Sequence, residues 1–218
     1  MKVGTDGVLL GAWARVENAC RILDVGTGTG IIALMAAQRN QAAQILAIDI
    51  DPQAVDQAKE NAGRSIFSQK ISIAQHSLHE FASINREPFD VILCNPPFFE
   101  NSLKPPARQR SMARHSESLP LEELLACAKV LLSEKGNISL ILPSDRLQKA
   151  EAVCEKLSLF ITRKTFVKPL PESQPKRVLL EISPEFKIPE EEKIVIELLR
   201  HKYSDEYIRL TKDFYLKM

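Results

Sequence analysis

Residues 21–30 have the sequence RILDVGTGTG, which gives the strongest indication of the fold of this chain. The apolar run Arg21–Val25 predicts a strand, and the three glycines after it predict a tight turn where the backbone can approach a ligand closely. The next segment, Ile31–Arg39, is rich in Ala, Leu and Met and predicts a helix. A strand, a glycine-rich turn and a helix in this order are typical of nucleotide-binding α/β folds.

The pattern of strand and helix continues beyond this unit. Strands are predicted over Gln44–Asp49, Lys70–Ala74, Phe89–Cys94 and Asn137–Leu142, and helices over Pro52–Ala62, Leu121–Leu132 and Asp145–Leu157. Alternation of strands with helices of 10–15 residues implies right-handed crossovers. The sequence therefore predicts an α/β fold with a mostly parallel sheet.

The last third of the chain has a different pattern. Two strands, Phe160–Lys168 and Arg177–Ser183, are joined by a proline-rich turn without a helix, which predicts an antiparallel hairpin at the end of the sheet. We expect an acidic, mobile connection over Pro184–Glu192 and a terminal amphipathic helix over Ser204–Leu216.

The overall composition excludes several classes of protein. A length of 218 residues suits one domain, with or without a small appendage, and a net charge of +1 argues against a surface that binds nucleic acid everywhere. The four cysteines are scattered without a C-x-x-C pair, which argues against a zinc site or a disulfide framework. No apolar run approaches 18 residues and the first residues do not resemble a signal peptide, so we expect a cytoplasmic protein.

Two carboxylates frame the glycine turn. The turn has the spacing G-x-G-x-G and not the G-x-G-x-x-G of dinucleotide sites, and Asp24 before it suits an amine better than a phosphate. Asp49 ends the next predicted strand, where an acidic residue can accept both ribose hydroxyls. The pair fits a ribose-bearing ligand with an amino acid moiety, such as S-adenosylmethionine. The alternative is an ordinary nucleotide-type turn with a solvated Asp49.

The tetrapeptide Asn95-Pro96-Pro97-Phe98 directly follows the strand Phe89–Cys94. Two prolines cannot continue a paired strand, so the chain leaves the sheet in a stiff turn. The Asn95 amide oxygen and the Pro96 carbonyl are hydrogen-bond acceptors, and Phe98 offers a stacking face. These groups can grip a planar amine such as that of adenine or of a carboxamide. Alone, the motif is more often a plain loop entry.

The three motifs in this order resemble those of the amino-group methyltransferases of the class I S-adenosylmethionine fold. Further matches resemble the tRNA(Val) adenine-N6 methyltransferase family, which modifies the adenosine beside the anticodon. They are KVGTDGVLLGAW at residues 2–13, RH at 114–115, RVLL at 177–180, YSDEY at 203–207 and DFYL at 213–216. The resemblance covers nearly the whole chain.

The resemblance implies a Rossmann-like class I methyltransferase with a mostly parallel seven-stranded sheet, a C-terminal antiparallel hairpin and helices on both faces. Residues 1–218 would form one methyltransferase domain. Within it, residues 1–16 would cover the cofactor, 101–116 would form a basic substrate loop and 184–218 a C-terminal extension. Family members also carry residues before the Lys-Val-Gly-Thr-Asp segment, so we expect that the start is truncated or that an RNA-contacting arm is lost.

The resemblance also assigns residues to the cofactor, S-adenosylmethionine. The methionine end would lie near Lys2, Thr5 and Asp6. The residues assigned to the amino acid moiety are Asp24, Gly26, Thr27, Gly28 and Gly30. Asp49 would lie at the ribose, and Ile50 and Asn95 would also contact the cofactor. Ser77 stands where the family usually has an Asp that accepts from the cofactor adenine, which leaves that contact open.

The substrate would be a flipped-out adenine of tRNA, held by the catalytic residues Asn95, Pro96 and Phe98. The residues expected to contact RNA are Pro97, Phe98, Lys104, Arg108, Arg110, Arg114 and His115, most of them in an acid-free stretch from 101 to 116. We expect neither a general base nor a metal. Three alternatives stay open: a protein glutamine-N5 methyltransferase, a guanine-N2 RNA methyltransferase, and a catalytically silent RNA-binding module of the same fold.

Overall fold

A computed structural model describes residues 4–96 and 119–216 of the chain. The strands are β1 (Arg21–Val25), β2 (Gln44–Asp49), β3 (Ile71–Gln75), β4 (Phe89–Cys94), β5 (Leu132–Pro143), β6 (Phe160–Lys168), β7 (Arg177–Ser183), β8 (Glu190–Val195), β9 (Glu197–Leu199) and β10 (Lys202–Tyr203). The helices are α1 (Thr5–Trp13), α2 (Ile31–Arg39), α3 (Pro52–Gly63), α4 (Leu78–Ile84), α5 (Leu121–Leu131), α6 (Leu147–Lys156) and α7 (Asp205–Thr211).

The main sheet has the order β3-β2-β1-β4-β5-β7-β6-β8. Strands β1 to β5 pair in parallel, β7 is antiparallel to both β5 and β6, and β8 is parallel to β6. Strand β7 is therefore antiparallel to the other seven strands of this sheet. The predicted α/β class, the mostly parallel sheet and the antiparallel β6–β7 hairpin are confirmed.

The predicted number of strands in this sheet is wrong. The sheet has eight strands, because β8 lies within the segment 184–218 that the sequence predicts as an extension, and the β6–β7 hairpin is consequently not at the edge. The sequence EEEKIV of β8 looks like a charged connection. At a sheet edge, however, exposed glutamates are tolerated and discourage pairing with another chain, while Ile194 supplies the buried contact.

Two apolar clusters cover the two faces of the sheet. One contains residues of α1, α2 and α7 such as Leu10, Ile32 and Tyr207. The other contains residues of α5 and α6 such as Leu125 and Val153, together with residues of α4. The expected placement of helices on both faces is confirmed. No helix of the described residues is long and apolar enough to cross a bilayer.

Several element boundaries differ from the prediction. Helix α4 is new, although Ser77 and Glu80 form a capping box that is visible in the sequence. The residues before α6 and after α7 form single 3₁₀ turns, so both helices are shorter than expected. Strand β5 begins five residues earlier than Asn137, directly after α5.

Candidate active site

The carboxyl ends of β1 and β4 lie side by side in the middle of the sheet. The chain passes from β1 to β2 on one side and returns to β4 on the other, so a crevice opens between the turns after β1 and β4. Val25 is in register with Cys94, which places the glycine turn beside Asn95. Two segments predicted separately to carry function are thus brought together.

All three glycines of the turn have left-handed backbone angles. The φ angles of Gly26, Gly28 and Gly30 are 67°, 57° and 81°, a region that other residues enter only at a cost. The amides of Gly26 and Thr27 donate to the Ile48 carbonyl at 2.9 and 3.0 Å, which fastens the turn to β2. A side chain at Gly30 would meet Ala58 at 3.4 Å, so a glycine there also lets α3 approach the turn.

Asp24 is fully buried beneath this turn. Its Oδ2 accepts from the Thr27 hydroxyl at 2.5 Å and from the Ala33 amide at 3.2 Å, while its Oδ1 has no hydrogen-bond partner among the described residues. Burial raises the pKa of this carboxyl to about 7, and the nearby Asp49 adds to the rise, while the two hydrogen bonds oppose it. The carboxyl orders the turn and keeps one oxygen free for a donor.

Asp49 lies half-buried at the end of β2. Its Oδ2 accepts from the Gly28 amide at 2.9 Å and its Oδ1 from the Asp51 amide at 3.0 Å. These bonds fix the carboxylate against the turn and leave each oxygen a further lone pair. The next residue, Ile50, exposes 55% of its surface, so an apolar side chain stands beside the carboxylate.

Asn61 of α3 also holds the turn, and sequence reasoning missed it. Its Nδ2 donates to the Thr29 carbonyl at 2.8 Å, and its Oδ1 accepts from Gln57 at 3.4 Å. Asp24, Asp49 and Asn61 therefore fasten three successive residues of the turn from three elements. An asparagine inside an amphipathic helix gives no signal of this contact in the sequence.

Ser77, expected near the cofactor adenine, is the N-cap of α4. Its hydroxyl accepts from the Glu80 amide at 3.2 Å and donates to the Glu80 carboxylate at 2.9 Å. The neighbouring His76 donates its amide to the Asp49 carbonyl at 3.1 Å, so this corner does adjoin the end of β2. The Ser77 hydroxyl is therefore engaged within the helix cap.

The first turn of α1 lies close to the start of α2. A side chain at Gly7 would meet Ile31 at 3.6 Å, which places Thr5 and Asp6 near the helix that begins at the glycine turn. Asp6 accepts from Arg177 Nε at 2.8 Å, and this ion pair joins α1 to the start of β7. The sequence assigns Arg177 no role of its own.

Asn95 and Pro96 are half-buried and directly follow β4. Cys94 before them is buried in the core, and burial together with Asp24 and Asp49 raises the pKa of its thiol, so it is no ready nucleophile. The remaining predicted site residues lie outside the described part of the chain: Lys2, Pro97, Phe98, Lys104, Arg108, Arg110, Arg114 and His115.

These residues fit an amino acid joined to a ribose. Asp24 offers a buried oxygen without a partner, and a side chain at Gly26 would meet nothing within 4 Å, so the turn has open space above it. Asp49 and Ile50 present a carboxylate and an apolar surface at the end of β2. Over residues 4–96 and 119–216, no group of three His, Cys, Asp or Glu side chains is arranged to bind a metal.

Comparisons with known proteins agree with this chemistry. The sequence profile of the family described as "Methyltransferase small domain" matches residues 7–158. The tRNA1(Val) (adenine(37)-N6)-methyltransferase of Parabacteroides distasonis is 47% identical over 100% of this chain and 92% of its own length. The protein of the same name from Flavobacterium psychrophilum is 45% identical over 100% of this chain and 94% of its own length.

Solved structures share the fold at low sequence identity. A predicted O-methyltransferase from Agrobacterium tumefaciens is similar with a TM-score of 0.75 and 18% identity, covering 95% of this chain and 96% of its own. A ribosomal protein L11 methylase from Lactobacillus delbrueckii subsp. bulgaricus is similar with a TM-score of 0.56 and 24% identity. The match covers 83% of this chain and 77% of the methylase.

Proposed function

Because the chain belongs to the methyltransferase small domain family, together with the tRNA1(Val) (adenine(37)-N6)-methyltransferases, we propose that it methylates N6 of adenine 37 in that tRNA. It is an enzyme that uses S-adenosylmethionine. The full-length match to relatives of one name is the observation that carries the choice of substrate. A tRNA substrate also favours the cytoplasm as its location.

We propose that the cofactor lies along the carboxyl ends of β1 and β2. The unpartnered Oδ1 of Asp24 would accept from the amino group of the methionine moiety, and Asp49 would accept from the ribose hydroxyls. Lys2, Thr5 and Asp6 would close over the methionine end. Support comes from the position of α1 beside the start of α2. Because the Ser77 hydroxyl is engaged in its helix cap, the adenine would depend more on the apolar side chain of Ile50.

The acceptor nitrogen would be held at Asn95 and Pro96. When bound, S-adenosylmethionine supplies a methyl group on a positively charged sulfur. The Asn95 side-chain oxygen and the Pro96 carbonyl would accept the two N–H bonds of the adenine amine, which turns its lone pair toward the methyl group. Holding the amine in this way can lower the barrier by roughly 7–11 kcal/mol. The two acceptors also stabilise the positive charge that develops on nitrogen.

The remaining substrate contacts are proposed from the sequence. Phe98 would stack on the flipped adenine, worth about 1–3 kcal/mol, against a flipping cost of a few kcal/mol. The cations at Lys104, Arg108, Arg110 and Arg114, with His115, would neutralise tRNA phosphates. They directly follow the amine-binding turn in the chain.

Replacing Asn95 with alanine tests this assignment. We expect Asn95→Ala to lower kcat for tRNA methylation by a factor on the order of 100 or more, because one aimed acceptor is lost, while the Kd for S-adenosylmethionine by calorimetry changes much less. A matched control is Asn85→Ala, at the end of α4, where the Asn85 side chain contacts the Glu87 carbonyl. It should leave kcat unchanged. If the folded Asn95→Ala protein methylates tRNA at the wild-type rate, the proposed amine contact is wrong.

A further inference from the structure

Strands β9 and β10 form a small hairpin at the end of β8. Lys202 is in register with Leu199, so the turn between the strands consists of Arg200 and His201. His201 has a φ of 64°, a left-handed angle at a position where glycine or asparagine is usual in hairpins. The turn is therefore a tight two-residue connection between the strands.

The hairpin begins at the edge of the sheet that also carries the active site. The amides of Ile196 and Glu197 donate to the carbonyls of Lys168 and Pro169, at the carboxyl end of β6, at 2.9 and 3.0 Å. Four strand spacings separate β4, where Asn95 follows, from β8, a lateral distance of about 19 Å. A macromolecule bound at Asn95 can extend this far across the edge, whereas a small substrate cannot.

The hairpin turn presents several basic side chains to solvent. Arg200, His201 and Lys202 are all exposed, and within residues 4–96 and 119–216 neither Arg200 nor Lys202 has an ion-pair partner. Most other described arginines do pair with a carboxylate, namely Arg15, Arg21, Arg39, Arg64, Arg163 and Arg177. Lys176, before β7 at the same edge, is likewise exposed and without an ion pair in the described part.

The hairpin is firmly attached to the rest of the protein. The Ser204 hydroxyl donates to the Val195 carbonyl and accepts from the Tyr207 amide, so it caps α7 and ties it to β8. Tyr203 packs on Tyr207 with ring centroids 5.3 Å apart. An isolated two-stranded hairpin is marginally stable, and these contacts explain how the turn keeps its shape. Three acids lie nearby. Glu197 is opposite Tyr203 in the hairpin, and Asp205 and Glu206 lie in the first turn of α7, where the helix dipole stabilises them.

We propose that the β9–β10 hairpin is a second tRNA contact, in which Arg200 and Lys202 bind phosphates of the tRNA backbone away from the methylated base. This inference rests on the proposed function, since it takes tRNA as the substrate. RNA backbone is the fitting partner because it offers regularly spaced negative charges to exposed cations that no carboxylate of the described residues pairs. The hairpin is a positioning element and takes no part in the chemistry at Asn95.

The test compares two double variants of equal charge. Arg200→Ala with Lys202→Ala removes the cations of the turn, and Arg86→Ala with Lys135→Ala removes one arginine and one lysine near the starts of β4 and β5, at the opposite edge. For the hairpin variant we expect the KM for unmodified tRNA to rise about tenfold. The slope of log affinity against log salt should become shallower by about 1–2. Its kcat at saturating tRNA and its Kd for S-adenosylmethionine should stay at wild-type values.

A variant that keeps both positive charges shows whether tRNA affinity depends on charge or on the identity of the two side chains. Arg200→Lys with Lys202→Arg should retain wild-type KM, while loss of affinity in this variant too would overturn the phosphate contact. Equal losses in the hairpin and opposite-edge variants would overturn it as well, because the effect would then be one of net charge. If wild-type protein methylates tRNA and the hairpin variant has unchanged KM, the hairpin inference alone fails. If wild-type protein methylates no tRNA, the proposed function fails and takes the hairpin inference with it.

Discussion

Asp24 orders the glycine turn, and we propose that the same buried carboxyl also binds the cofactor. Its Oδ2 is used by Thr27 and Ala33, and its Oδ1 is buried without a partner in the described part of the chain. Leaving a buried acceptor unpaired costs about 1–3 kcal/mol. The amino group that we propose to bind there would remove that cost, and the affinity for the cofactor would rise by the corresponding free energy.

The stability of the cofactor-free protein should reveal this carboxyl through its pH dependence. Burial raises the pKa of Asp24 from 3.8 to about 7, so between these pH values the folded carboxyl is protonated while the unfolded one ionises. The unfolded state then binds fewer protons, and the contribution of Asp24 to stability falls as the pH rises. In the Asp24→Asn variant the side chain at this position does not titrate. Its free energy of unfolding relative to wild type should therefore increase between the two pKa values, by at most roughly 4 kcal/mol, and level off above them.

Urea titrations of both proteins across this pH range measure the difference directly. The other titrating groups are common to the two proteins and cancel, apart from the part that comes from the charge coupling between Asp24 and Asp49. A difference in the free energy of unfolding that stays constant across the range would show that the Asp24 carboxyl is ionised throughout, which would contradict the raised pKa.

At the scale of elements, the docking of α1 on α2 positions the segment that would cover the cofactor. A side chain at Gly11 of α1 would lie 2.7 Å from Met35 Sδ and 3.2 Å from Met35 Cβ, so the two helices approach closely at a glycine. Met35 is itself buried, which limits how far it can move away. Helix α1 is held in addition by Trp13, whose Nε1 donates to Thr165 in β6 at 2.8 Å.

Gly11→Ala should destabilise the protein by about 1–3 kcal/mol, because overpacking outweighs the better helix propensity of alanine. Gly63→Ala is the matched control. Gly63 ends α3 and is exposed, and a methyl group there would have no neighbour within 4 Å, so the change should be neutral or stabilising by up to about 1 kcal/mol. Thermal and urea unfolding measure both. Equal stability of the two variants would mean that α1 can shift away from α2 freely.

Sequence patterns predict best those elements whose apolar periodicity agrees with the turn-forming residues that flank them. Strand β1, the glycine turn and α2 have the predicted bounds, because an apolar run, three glycines and a helix-forming segment follow one another without conflict. Strand β8 was missed because edge strands need little apolar surface, and its glutamates suggest a solvated connection. Because its pairing with β6 makes this segment a strand, the local sequence pattern predicts it poorly.

At the scale of the whole molecule, the site depends on topology that no single motif contains. Sequence patterns place Asp24, Asp49 and Asn95 at strand ends, and the order β2-β1-β4 brings these ends to one edge. Asn61 and Arg177 lie far from those motifs in the sequence, and only the folded chain shows that one fastens the glycine turn and the other pairs with Asp6. The β9–β10 hairpin likewise reaches the same edge through β8.

The proposed activity of this molecule is methylation of adenine N6 in tRNA. The most direct measurement incubates total tRNA and, in parallel, purified tRNA1(Val) transcript with the protein and labelled S-adenosylmethionine, followed by nucleoside mass spectrometry and mapping of the modified position. We predict N6-methyladenosine at position 37, formed by wild-type protein and lost with Asn95→Ala. Label that appears only in N2-methylguanosine, or no label in tRNA adenosine, would contradict this activity.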